Sequence, residues 1–439
     1  MANPSTPRAG EPGASGSYRY VVVAVLAITY MLNFVDRQLL SILAEPVKLD
    51  LALSDTQLGM LTGLTFALFY TVFGIPIAAL ADRWNRVRII AIACGIWSLF
   101  TAASGMASSF LTLALARMGV GVGEAGCSPP SYSVIADYFP PEKRGRALFL
   151  YMLGVPIGSV VGAMAGAWIA AHYGWRAAFV AVGIAGLVFA PLILLLVREP
   201  RRGQSDPSAS IVTAAARTEG RASTRAAFAF FFRSPTIVLN AIASGLTAFV
   251  SYGIINWAPA FLGRVQHMTL PEIASHYGLA IGGAMVLAGI LGAVVSDRLG
   301  ARNPVHYALM PGLGLVITTP FLFGFTLAGS WQVSLAFLFV PLVLTNIYLV
   351  PAIALLQNRT PQQYRATASA LVLFLINLIG LGCGPLFVGM VSDALEPTFG
   401  ADALRYALQW LTPFIVLAVA FQLATAWSLR RDQHRAAHL

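Results

Sequence analysis

Asp36 and Arg37 are neighbours, and Arg117 and Glu124 stand seven residues apart. All four are embedded in apolar runs long enough to cross a membrane. An ionised side chain at the bilayer centre costs at least about 2.5–3.5 kcal/mol on insertion scales. Chains keep such charges where they pair with each other and face a wet cavity. The set sums to zero charge when ionised, so it can form a closed network. All of it lies in the first third of the chain, and the apolar runs of the second half carry no charge. The chemistry this permits is proton binding. Burial favours a neutral carboxyl, an adjacent guanidinium favours the carboxylate, and an arginine stays charged throughout. A carboxylate whose distance from an arginine changes with conformation therefore changes its proton affinity. That is the minimum machinery for proton-coupled alternating access. The other reading is a static network that fixes helix register.

The elements that must position these groups are helices. At 1.5 Å per residue, Asp36 and Arg37 fall roughly 24–26 Å above the inner end of their run. Arg117 falls roughly 10 Å below the outer end of the fourth run, so these three share a level in a core of about 30 Å. Glu124 is two turns further along nearly the same face, about 10 Å deeper. Asn33, four residues before Arg37, shares its face, and Asp36 lies on the flank.

The chain has 439 residues, 57% hydrophobic and only 10% charged, with mean hydropathy +0.74. Soluble domains carry about 25% charge. Twelve runs reach the roughly 20 residues that a spanning helix needs. They are long and apolar throughout, which speaks against the alternating strands of a β-barrel. Of the 28 Lys and Arg, Lys48, Arg176, Arg264 and Arg405 fall on the outer side, and Arg37 and Arg117 fall inside runs. The rest gather on the inner side, so both termini are expected to be cytoplasmic. This distribution accounts for the +10 net charge without nucleic acid. Cys94, Cys127 and Cys383 are scattered in or beside apolar runs and form no disulfide framework. A chain with 2 Lys against 26 Arg and abundant Ala and Gly suggests a GC-rich bacterium, hence a bacterial inner membrane.

The organisation expected is a disordered tail over 1–17, a six-helix bundle over 18–197 and a cytoplasmic linker over 198–233. A second six-helix bundle over 234–429 and a cytoplasmic tail over 430–439 follow. The linker carries Arg198, Arg201, Arg202, Arg217, Arg221, Arg225 and Arg233, a composition suited to anionic lipid or to plain solvation. The halves echo each other. Ala81-Asp82-Arg83 with Arg86 follows the second run, and Ser296-Asp297-Arg298 follows the eighth. Matched turns half a chain apart imply a duplicated transporter bundle.

These Asp-Arg turns resemble the loop motif of the major facilitator superfamily. Asn33-Phe34-Val35-Asp36-Arg37 and the run Arg117 to Ala125 resemble its spinster branch. So do Ala136-Asp137-Tyr138-Phe139-Pro140 and Val155-Pro156-Ile157-Gly158-Ser159. Ala78 and Asn85 depart from the loop motif where it usually has Gly, and the second copy lacks the basic residue four after Asp297. The resemblance implies an all-α fold of two pseudo-symmetric six-helix bundles. It implies proton coupling at Arg37 and Glu124, with Asp36 and Arg117 beside them, and a lipid-like substrate such as a sphingolipid or lysophospholipid. It implies a cytoplasmic gate at Asp82, Arg83, Arg86, Asp297 and Arg298, which latches when the protein opens outward. The alternative for the gate residues is positive-inside anchoring and turn capping.

Further candidates are weaker. Tyr252, Asn256, Asn346, Tyr348 and Asn377 are uncharged polar groups in second-half runs, suited to the substrate cavity with Asn33, Arg37 and Glu124 or satisfied against neighbouring helices. Gly154, Gly158, Gly162 and Gly166 form a small-residue stripe for close packing or for sliding. Ser128-Pro129-Pro130 reads as a helix terminator. The histidines lack metal spacing and no phosphate loop or catalytic constellation occurs. The expectation is a monomeric secondary transporter among membrane lipids, not an enzyme, with no cofactor beyond a proton gradient. It would move an amphipathic substrate, or alternatively small organic anions or drugs; a passive channel is disfavoured.

Overall fold

The computed structural model of the chain describes residues 17–205 and 224–437. Residues 1–16 of the tail, 206–223 of the linker (with Arg217 and Arg221) and 438–439 lie outside the described residues. Among the described residues every regular element is helical.

Ten helical runs cross once each. In the first half they are Tyr18–Ile42, Asp55–Ala81, Arg86–Ser104, Phe110–Tyr138, Pro141–Tyr173 and Trp175–Leu196. In the second they are Pro235–Arg264, Leu270–Gly300, His306–Leu327 and Trp331–Arg359. The last run, Thr367–Arg435, holds 69 residues, far more than one crossing needs. Gly400, at φ 55°, turns the chain there and divides the run into an eleventh and a twelfth span. The sequence explains the other boundaries. Ser54 with Gln57, Ser109 with Thr112 and Thr269 with Glu272 build capping boxes at the outer starts of the second, fourth and eighth spans. Asn85 accepts from the Arg88 amide at 2.8 Å to start the third.

The fourth and tenth spans are each interrupted by a turn of three or four residues. The fourth is helical over Phe110–Glu124, turns at 125–127, and resumes over Ser128–Tyr138. The Ser-Pro-Pro segment therefore opens a helix instead of ending the span. Prolines in a first turn lose no hydrogen bond, because those amides have no intrahelical partner. The tenth span repeats the pattern, with Trp331–Leu344 and Leu349–Arg359 separated by a turn. Discontinuous helices at matched positions of two repeats mark the binding region in transporter folds. Glu124 is the last residue of its half-helix.

The glycine stripe of the fifth span seats against the first span of the same half. A Cβ on Gly154 or Gly158 would meet the carbonyl of Ala27 or Met31, and one on Gly162 would meet Val35 backbone. This is close static packing within a bundle. The surface between the halves lies elsewhere: Gly278 and Gly282 of the eighth span face Ala163 and Val160 of the fifth. Gly59 and Gly63 of the second face Pro385 and Leu381 of the eleventh.

Candidate functional site

The four intramembrane charges form two ion pairs. Arg37 Nε lies 2.7 Å from Glu124 Oε2, and Arg117 Nη1 lies 2.9 Å from Asp36 Oδ2. The pairing follows from helix direction. Side chains tilt toward the N-terminus of their helix. The first and fourth spans run antiparallel; on the expected topology the first starts inside, so Arg37 reaches inward, and the fourth starts outside, so Glu124 reaches outward. The two tilts close the axial gap between them. Arg117 also reaches outward and meets Asp36, whose other oxygen accepts from the Thr101 hydroxyl at 2.9 Å. The second pair is sealed, with side-chain exposures of 2% and 1%. The first is not: Glu124 is fully buried, but Arg37 keeps 19% of its side chain exposed.

Aromatic rings frame the guanidinium of Arg37. Its carbon lies 5.1 Å from the Phe34 ring, 4.7 Å from Phe66 and 4.9 Å from Tyr70. Phe66 also holds Arg117 at 5.6 Å, so one ring serves both cations. Gly121 lets the fourth span approach here, since a Cβ would meet the Phe66 carbonyl. Unused hydrogen-bonding capacity remains. Glu124 Oε1, Asn33 Oδ1, Gln38 Nε2 and Arg117 Nε are buried with no protein partner. The free oxygen of Glu124 is a place for a proton beside a cation that faces open space.

The second-half candidates separate. Tyr252 lies close enough for its phenol to interact with Arg37 and packs against a cluster that joins first-half residues to Leu381. Asn256 and Asn346 donate to carbonyls four residues back, Tyr252 at 2.9 Å within the seventh span and Leu342 at 2.8 Å from the turn of the tenth. Those amides are satisfied locally. Tyr348 is buried in an apolar cluster with Ile237, Ala352 and Val372. Asn377 is half-buried within a π-helical stretch, Ile376–Cys383, of the eleventh span.

Among the gate residues, Asp82, Arg83, Asp297 and Arg298 are exposed at the inner face. Arg86 is placed differently. It is 1% exposed and binds Asp137 at 2.5 Å, Glu199 at 2.7 Å and Ser133 at 2.8 Å. It ties the inner ends of the third, fourth and sixth spans within the first half and does not bridge the halves in this state.

The halves are joined at the outer side by groups that sequence reasoning missed. Asp55 binds Lys48 at 2.6 Å, Arg264 at 2.6 and 2.9 Å, and Ser392 at 2.6 Å. Glu45 also pairs with Arg264. Asp393 accepts from the Asp55 and Thr56 amides, both at 2.8 Å. Ser41 donates to the Asn256 carbonyl at 3.0 Å, one step deeper. The signal available was the placing of Lys48 and Arg264 beside acids at outer span ends. Nothing in the sequence alone says that those ends converge. With the basic loops on the cytoplasmic side, as the charge distribution predicts, clasped outer ends and exposed gate residues correspond to an inward-facing molecule.

Three comparisons bear on this architecture. The description Major Facilitator Superfamily fits residues 26–385. An MFS-type efflux pump of Mycolicibacterium smegmatis is 35% identical over 94% of each chain. Protein spinster homolog 1 of Homo sapiens is 30% identical over 97% of this chain and 84% of its own. A crystal structure of a bacterial homologue of the human lysosomal transporter spinster, inward-facing and unoccupied, superposes with a TM-score of 0.86 at 32% identity. That match covers 95% of this chain and 99% of the other. With two pseudo-symmetric helical bundles and buried charge pairs in the first, the chain belongs to the major facilitator superfamily, in its spinster-like branch.

Proposed function

We propose that this protein is a proton-coupled secondary transporter that works by rocking alternating access and moves an amphipathic, lipid-like substrate. The observation that carries the reading is the Arg37–Glu124 pair. A fully buried carboxylate with one free oxygen bonds an aromatic-framed guanidinium whose side chain is about one-fifth exposed. Protonating Glu124 removes its charge and releases Arg37 to hold an anionic headgroup. The uncharged second-half spans suit the apolar remainder of such a molecule. The spinster-like motifs at residues 33–37 and 117–125 imply a sphingolipid or lysophospholipid as that substrate. A second reading is a carrier of small organic anions or drugs; the similarity to an MFS-type efflux pump fits export of either class. The reading includes a monomer in a bacterial inner membrane with both termini cytoplasmic, driven by the proton gradient without a cofactor.

Flux into proteoliposomes, measured for a lysophospholipid, an organic anion and a cationic drug with and without a pH gradient, tests this. Gradient-stimulated flux of the lysophospholipid is expected. Equal flux of it with and without the gradient would sink the coupling.

A further inference from the structure

The helix Thr224–Arg233, between the two bundles in sequence, has two unlike faces. Ala227 and Phe231 are buried. Phe231 belongs to a cluster with Ile237, Ala352, Leu356 and Ala368 at the inner ends of three second-half spans. The Phe230 ring sits 5.5 Å from Tyr364. On the opposite face Arg225, Phe228, Phe232 and Arg233 are exposed, the two phenylalanines at 42% and 63%. At about 100° per residue these four span roughly 140° of the helix. The seventh span begins at Pro235, so the helix ends at the inner surface of the membrane. No acidic residue occurs within it. The nearest acid of the C-terminal helix, Asp432, is engaged by Arg359 at 3.0 Å.

We propose that this exposed face is a docking surface for anionic phospholipid of the inner leaflet. Two exposed phenylalanines one turn apart are unfavourable in water and suited to the boundary of headgroups and acyl chains. Arg225 and Arg233 flank them at the level of the phosphates. A basic, aromatic face beside a span end is the pattern that concentrates acidic lipid. Zwitterionic lipid satisfies the phenylalanines but not the two arginines, which no acid among the described residues pairs. Through Phe230 and Phe231 the helix is seated on the inner end of the eleventh span. That end must move when the inner side closes, so lipid held here loads a moving part of the transporter.

The test uses the full chain with Ala229→Cys in a Cys383→Ala background; the remaining Cys94 and Cys127 are buried. A fluorophore on residue 229 is read in nanodiscs of phosphatidylcholine doped with brominated phosphatidylcholine or with the same fraction of brominated phosphatidylglycerol. Quenching by both lipids is expected, at least about twofold stronger with phosphatidylglycerol at low salt. High salt, or Arg225→Gln with Arg233→Gln, should reduce the two to equality. Equal quenching in the unmutated arginine background at low salt overturns the anionic selectivity. Absence of quenching by either lipid overturns the membrane placement and leaves the face to a soluble partner. The salt titration needs no arginine variant, so a poorly folding variant leaves the answer intact.

Discussion

Asp393 and Asp55 are 338 positions apart, yet the Asp393 carboxylate accepts the Asp55 backbone amide at 2.8 Å and caps the outer start of the second span. A carboxylate there satisfies orphan amides and complements the positive end of the helix dipole. The eleventh span thus caps the second at the outer face. Asp82 is exposed at the other end of the second span, and under the proposed rocking mechanism it would cap the inner start of the eleventh in the same way.

Asp393→Asn should weaken the outer clasp and populate outward-open molecules. A charged cap is worth about 1–2 kcal/mol, a shift of roughly five- to thirty-fold in the ratio of states. Spin-label distances across the outer ends of the second and eleventh spans report it. An unchanged distance distribution would show that the Asp55–Arg264 cluster suffices alone.

Asp82→Asn should act in the opposite sense. Asp82 is exposed in the inward-facing state, so the substitution leaves that state untouched and removes only its latch in the other. The same labels on the inner ends should show enrichment of inward-open molecules. A shift toward the outward-open state would contradict the reciprocal arrangement.

Glu124→Gln mimics the protonated carboxyl permanently. The ionised form bonds Arg37 in the inward-facing state, and acidification removes that bond. Acid should therefore move wild-type populations away from the state described here. The bias is bounded by the difference in proton affinity between states, about 1.4 kcal/mol for each pKa unit of difference. The Gln variant should fold, ignore pH between about 5 and 8, and lose gradient-driven transport while retaining exchange. If its pH response matches wild type, Asp36 becomes the candidate.

Arg37→Ala strands a buried carboxylate, which costs about 3–5 kcal/mol unless it takes up a proton. Transport should be lost and thermal stability lowered. Adding Glu124→Gln should restore stability but not flux. Melting temperatures of the two single variants and the double variant check this; additive losses would mean that the pair is not energetically linked.

Gly158→Ala should destabilise by about 1–3 kcal/mol, because the new methyl meets the Met31 carbonyl and neither backbone can retreat. Gly289→Ala, with open space around the glycine, serves as the control. Detergent melting curves of the pair decide it.

Much of this molecule was legible in the chain. Apolar runs of membrane length define spans because backbone amides in lipid must be satisfied within one helix. The Asp-Arg turns and the basic inner loops exposed the duplication. Asp36, Arg37, Arg117 and Glu124 stood out because charge is costly in hydrocarbon, whatever surrounds it. Pairing was another matter. Span order sets the direction of each helix, but which acid Arg37 bonds, Glu124 or Asp36, also depends on how spans one and four lie side by side. The break at residues 125–127 read as an ending, since prolines stop a helix as readily as they start one. Arg86 read as a gate residue until Asp137 and Glu199 were seen around it. The outer clasp was invisible, because Lys48, Asp55, Arg264 and Asp393 look like ordinary surface charges along the chain. Local rules act over a few residues, whereas contacts between halves join positions hundreds of residues apart. Only the packing of the two bundles decides which of those charges meet.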